Sequence, residues 1–73
     1  MATLFVTQER IKKAVGLFFY TFTDELGDEY FSFTSYGFDF ACEVARGMID
    51  SAGGYSENYK FVKIKLPKQT VSK

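Results

Sequence analysis

The sequence predicts a small α+β domain: three or four mostly antiparallel strands, one long helix packed on one face, and a short N-terminal helix, in the order α-β-β-α-β. Three observations carry this. Two aromatic runs, residues 17–23 and 29–34, flank an acidic turn that contains Gly27, the pattern of a β-hairpin. From Phe38 to Ala52 the apolar residues recur with the 3.6-residue period of a helix. Residues 59–66 then alternate apolar with basic, the two-residue period of a half-covered strand.

At the start, Thr7 can cap a short helix over residues 8–15, with Gln8 and Glu9 favourably placed in its first turn. Ile11, Ala14 and Val15 form a narrow apolar stripe, Lys12 and Lys13 face away, and Gly16 stops the element. Leu4, Phe5 and Val6 ahead of it also read as a strand. In the first hairpin strand Phe18, Tyr20 and Phe22 share one face and Leu17, Phe19 and Thr21 the other. Phe19 is assigned to the core, although Phe18 and Phe22 offer an equally apolar face. Phe31 and Phe33 supply the inward positions of the second strand.

The long helix turns Phe38, Ala41, Ala45, Met48, Ile49 and Ala52 inward with Val44 at the edge, and Asp39, Glu43, Arg46 and Asp50 outward. Ser35 or Asp39 caps its start, and Gly53 and Gly54 end it. Gly47 costs about 1 kcal/mol relative to Ala, which points to close packing on the sheet. In the last strand Val62, Ile64 and Leu66 point inward and Lys63 and Lys65 outward, and Pro67 terminates it. Residues 1–67 read as one domain and 68–73 as a flexible basic tail. The core is expected to comprise Phe19, Phe31, Phe33, Val44, Ala45, Met48, Ile49, Val62 and Ile64.

Composition narrows the functional classes. The chain has 73 residues, fourteen of them Phe or Tyr, with one cysteine and no histidine. Neither an internal disulfide nor a histidine-based triad or zinc site can be assembled from that set. Cys42 lies beside the apolar stripe of the helix and reads as a small hydrophobe rather than a nucleophile. The acids of the turn lack the twelve-residue calcium-loop spacing, and the glycines form no phosphate-binding pattern. The reading is a non-enzyme with no cofactor and no metal. The start of the chain lacks a signal peptide's basic and apolar regions, and no apolar window approaches a membrane span. With a single free thiol, this suits a complete, soluble, cytoplasmic protein.

Charge is sorted along the chain. Between Tyr20 and Asn58 stand eight acids and one base, Arg46, a net of −7, while the flanks carry +7. Such fields govern association rather than fold. Asp24, Glu25, Asp28 and Glu29 on the hairpin turn, with Asp39, Glu43 and Asp50 on the helix, can face a cationic protein groove. Tyr36 and Tyr55, with Phe38 and Tyr59, lie close enough in sequence to act as anchors. The competing class is a single-stranded nucleic-acid binder that stacks bases on Tyr20 and Tyr30 with Lys63 and Lys65 as its bases. An acidic turn beside those rings opposes it. A homodimer that buries spare aromatics through the sheet is a third class.

In element order and charge, the two runs 17–23 and 29–34 about an acidic turn, the 38–52 helix and the 59–66 strand resemble small bacteriophage host-takeover inhibitors. The acidic stripe is similar to that of the DNA-mimic proteins among them, and the element order to that of the RNA-polymerase inhibitors. The resemblance implies a cytoplasmic protein-binding inhibitor. Its target would be the nucleic-acid-binding surface of a basic host protein, either a nucleoid-associated DNA-binding protein or RNA polymerase. The basic ends depart from the uniformly negative surface of a DNA mimic, and no motif carries a functional residue across.

Overall fold

Leu4 and Val6 alternate with Thr3, Phe5 and Thr7, and this makes the first element a strand, β1 (Ala2–Arg10), in the computed structural model, which describes residues 1–64. Strand β2 (Phe18–Thr23) and strand β3 (Glu29–Ser35) follow, then helix α1 (Phe38–Ser51), a 3₁₀ turn (Ser56–Asn58) and strand β4 (Tyr59–Ile64). The sheet order is β3-β2-β1-β4. Neighbours pair antiparallel except β1 and β4, which run parallel with Phe5 opposite Val62. The connection from β3 to β4 therefore crosses from one sheet edge to the other, and α1 makes that crossing.

The expected N-terminal helix is thus corrected to a strand and a turn. A helix of eight residues is too short to persist without a packed face. Against it stood a central strand that pairs on both sides, reaching Arg10 opposite Phe18. Residues 11–17 instead form two successive turns, with Gly16 at φ 82 and Val15 fully exposed. The order is β-β-β-α-β, and the sheet is mixed.

One face of the sheet meets the helix. Leu4 and Val6 of β1, Tyr20 and Phe22 of β2, and Ala41, Ala45 and Ile49 of α1 are buried, with Phe18, Phe31, Phe33, Phe38, Tyr59 and Phe61 packed around them. Phe22 is the hub, its ring centroid 5.0 Å from that of Phe31, 5.5 Å from Phe33 and 5.4 Å from Phe61. The Tyr20 hydroxyl donates to Gln8 Oε1 at 3.1 Å, so the one phenol in the centre of the core is satisfied.

Strand parity differs from the expectation in two strands, at Phe19, where an alternative face was open, and in β4, where none was. Phe19 is 36% exposed on the opposite face, because Phe18, Tyr20 and Phe22 are the inward set. In β4 the aromatics Tyr59 and Phe61 point to the helix, which sends Val62 and Ile64 to the uncovered face and brings Lys63 Nζ within 5.7 Å of the Phe38 ring. The larger rings win the covered side. Val44 and Met48 are exposed as well, since the buried stripe of α1 runs narrowly through Ala41, Ala45 and Ile49. Phe31, Phe33, Ala45 and Ile49 lie in or against the core as expected. Leu66, Pro67, Lys65 and the 68–73 tail lie outside the described residues.

Helix ends also differ in detail. Gly37 occupies the N-cap with no side-chain cap, so neither Ser35 nor Asp39 serves there, and Asp39 sits in the first turn. At the other end Gly54 N–H donates to Ile49 O at 2.9 Å and Gly53 N–H to Asp50 O at 3.1 Å. That is a Schellman closure, and Gly53 at φ 92 supplies its left-handed residue. Gly47 faces open space rather than the sheet.

Candidate functional site

The acidic turn is built by one of its own acids. Asp24 Oδ1 accepts the backbone N–H of Leu26 and of Asp28, both at 2.9 Å, and Asp24 O accepts Gly27 N–H at 3.0 Å. Gly27 at φ 90 lets the chain reverse there. Asp24 is therefore a structural carboxylate, while Glu25, Asp28 and Glu29 project from the turn, exposed. Leu26 is exposed at its tip.

Next to the turn the β2–β3 ladder slips. Phe22 faces Phe31 and Thr23 faces Glu29, which leaves Tyr30 as the extra residue of a bulge. The bulge breaks the alternation and brings Tyr30 onto the helix side, 6.1 Å from Tyr59 at the far edge of the sheet, ring edge to face. Tyr59 first, then partial desolvation and the carboxylate of Asp24, push the Tyr30 phenol above its ordinary 10.0. Between this tyrosine pair and the last turn of α1 lies a groove of about 450 Å³, walled by Phe31, Met48, Ile49, Ala52 and Gly54. The small residues Ala52 and Gly54 open it. A Cβ on Gly54 would stand 3.0 Å from Ile49 Cγ2, so that wall is already closely packed.

The helix acids divide. Asp50 accepts the Ser56 N–H at 2.9 Å and the Ser56 hydroxyl at 3.2 Å, tying the 3₁₀ turn to α1. Arg46 is not on the outer face. Its guanidinium donates to Ser56 O at 2.8 Å and lies 4.6 Å above the Phe61 ring. Asp39 and Glu43 are exposed on the outward side of α1, next to a ridge of exposed Phe40, Val44 and Met48 at every fourth position. Tyr36 is exposed just before the helix and Tyr55 just after it.

The expected partner residues therefore form two groups. Asp24, Glu25, Asp28, Glu29, Asp50 and Tyr55 belong to the end of the sheet where β2 finishes. Tyr36 and Asp39 belong to the other end, a strand length or about 20 Å away, with Glu43 between. At that second end Arg10 closes β1 and Lys12 and Lys13 project from the β1–β2 turn, all exposed, whereas Lys63 of β4 stands level with Val6 in mid-sheet. The sorting of charge along the chain has become a difference between two turns, acidic between β2 and β3 and basic between β1 and β2. Lys60 stands level with Thr3 near the first, and Glu9 beside Arg10 near the second. Sequence reasoning missed the groove, because Met48, Ile49 and Ala52 read as core and Tyr30 as an ordinary strand residue. The small run Ala52-Gly53-Gly54 was the available signal of open space.

The stacking rings of the nucleic-acid reading are taken up by the fold. Tyr20 is wholly buried beneath α1, together with Phe22, and only Tyr30 of that pair reaches the surface. Lys65 lies outside the described residues. Cys42 is half-buried, and burial chiefly, with Asp39, raises its thiol above the usual 9.0 against the pull of Arg46. Among the described residues no three acids or thiols converge on a metal-sized site, and no helix is long and apolar enough to cross a membrane. No protein-family model, curated protein or solved structure matches this chain.

Proposed function

We propose that this protein is a non-enzymatic binding protein of the phage host-takeover kind. In this reading its acidic end occupies the nucleic-acid-binding surface of a basic host protein, a DNA-binding nucleoid protein in the first instance. One observation carries the reading: among the turn acids only Asp24 is held by the fold, and Glu25, Asp28 and Glu29 stand exposed beside an aromatic-walled groove. Exposed charge speeds and steers encounter, while affinity comes from buried anchors, and this end of the molecule offers both. Mimicry is confined to that end, since the opposite one is basic.

The test is capture from a bacterial lysate by immobilised protein, compared with a Glu25→Gln, Asp28→Asn, Glu29→Gln variant. Asp24 is left in place because it holds the turn. The reading expects a basic DNA-binding protein on the wild type and its loss on the variant. Recovery of RNA polymerase would name the other target class. Retention of single-stranded oligonucleotide by purified protein in a gel shift would replace the reading with direct nucleic-acid binding.

A further inference from the structure

Two features at opposite ends of the sheet fit each other. The β1–β2 turn presents Val15, which is 100% exposed, with Arg10, Lys12 and Lys13 around it. The other end presents Glu25, Asp28 and Glu29 on the same side of the molecule as the groove lined by Tyr30, Ala52 and Tyr59. The first is an apolar anchor ringed by bases. The second is an apolar recess with acids along its Tyr30 side, where Glu29 is the preceding residue and Asp24 and Asp28 are near enough to act on the phenol. Because β2 runs from one end to the other, they lie too far apart to meet within one chain.

We propose that the β1–β2 turn of a second copy of this chain docks into the acidic end, Val15 entering the groove and Lys12 and Lys13 meeting the hairpin carboxylates. Charge selects this occupant over a face-to-face dimer at either end, which would set like charges opposite each other. The contact is heterologous, so a pair keeps one free turn on one copy and one free groove on the other, and association runs on head to tail. It is a small contact and hence a weak, reversible one. It stands whether or not a foreign protein also uses the acidic end. A basic partner there would compete with the second copy.

Sedimentation of the purified protein tests it. At about 50 mM salt the average mass should rise with concentration above 8.3 kDa, and at about 300 mM it should return towards that value. Val15→Asp removes the anchor and Ala52→Trp fills the groove; both positions are exposed, so each variant should keep the wild-type circular dichroism and stay monomeric. Mixed in equal amounts, the two should form a heterodimer that cannot extend, because each retains the surface the other lacks. Monomeric wild type at about 1 mM and low salt would overturn the proposal. So would a mixture that remains monomeric, or either variant alone still associating, which would place the contact on another face.

Discussion

Truncating Phe22 and truncating Phe19, three residues apart on one strand, should have very different consequences. Phe22 is fully buried, and three other rings pack on it at 5.0–5.5 Å. Phe22→Ala should cost about 3–5 kcal/mol. A 73-residue domain holds roughly 4–11 kcal/mol in total, so this variant stands at the edge of unfolding. Phe19 lies on the uncovered face opposite Glu9 and Thr34, and Phe19→Ala should cost about 1 kcal/mol or less. With a urea slope of about 1–1.5 kcal/mol per molar for so small a chain, the midpoints should drop by more than 2 M and by less than 1 M respectively. Phe22→Leu, at about half the cost of the alanine variant, keeps the comparison measurable if Phe22→Ala does not fold. Equal losses at the two positions would refute the strand parity, and with it the core, the bulge at Tyr30 and the groove.

Other substitutions follow from the same geometry. Gly47 faces open space within α1, so Gly47→Ala should stabilise by up to about 1 kcal/mol, a rise in thermal midpoint of roughly 4–8 °C; a loss would show that the backbone there needs glycine. Arg46→Ala removes the bond to Ser56 O and the contact with Phe61, and should lower stability by about 1–2 kcal/mol in urea. Arg46→Lys should recover only part, since a lysine does not reproduce the planar contact. Burial holds the protons of Cys42 and Tyr20 more tightly in the folded chain than in the unfolded one. Their contribution is whole below the ordinary values of 9.0 and 10.0 and is lost as pH rises through the raised ones. Urea midpoints should therefore fall above about pH 9, and Cys42→Ala should make the first part of that fall shallower. An identical slope in wild type and variant would contradict the placement of the thiol.

The hairpin, the long helix and the last strand were legible because each repeats a period long enough to read: paired aromatic runs, the stripe through Ala41, Ala45 and Ile49, and alternation from Tyr59. The first strand was not. Ile11, Ala14 and Val15 mimic a helical stripe, and only long-range pairing to β2 and β4 outweighs it. Parity failed where both faces carry large apolar groups, at Phe18/Phe19 and at Phe61/Val62, because local pattern cannot say which face the helix will cover. The acids were visible in composition, but their division was not. Asp24 and Asp50 are claimed by backbone N–H groups whose positions exist only in the folded turn. The groove depends on a bulge at Tyr30, a one-residue slip that no periodicity records.

The central claim is that exposed carboxylates at one end of the sheet bind a basic protein. It is tested most directly by the salt dependence of affinity for the partner captured from lysate, measured from about 50 to about 300 mM for the wild type and for the Glu25→Gln, Asp28→Asn, Glu29→Gln variant. The account predicts a steep weakening with salt for the wild type and a shallow one for the variant, the two converging at the highest salt. Affinity that is flat across the range, or equally steep in both proteins, would contradict it.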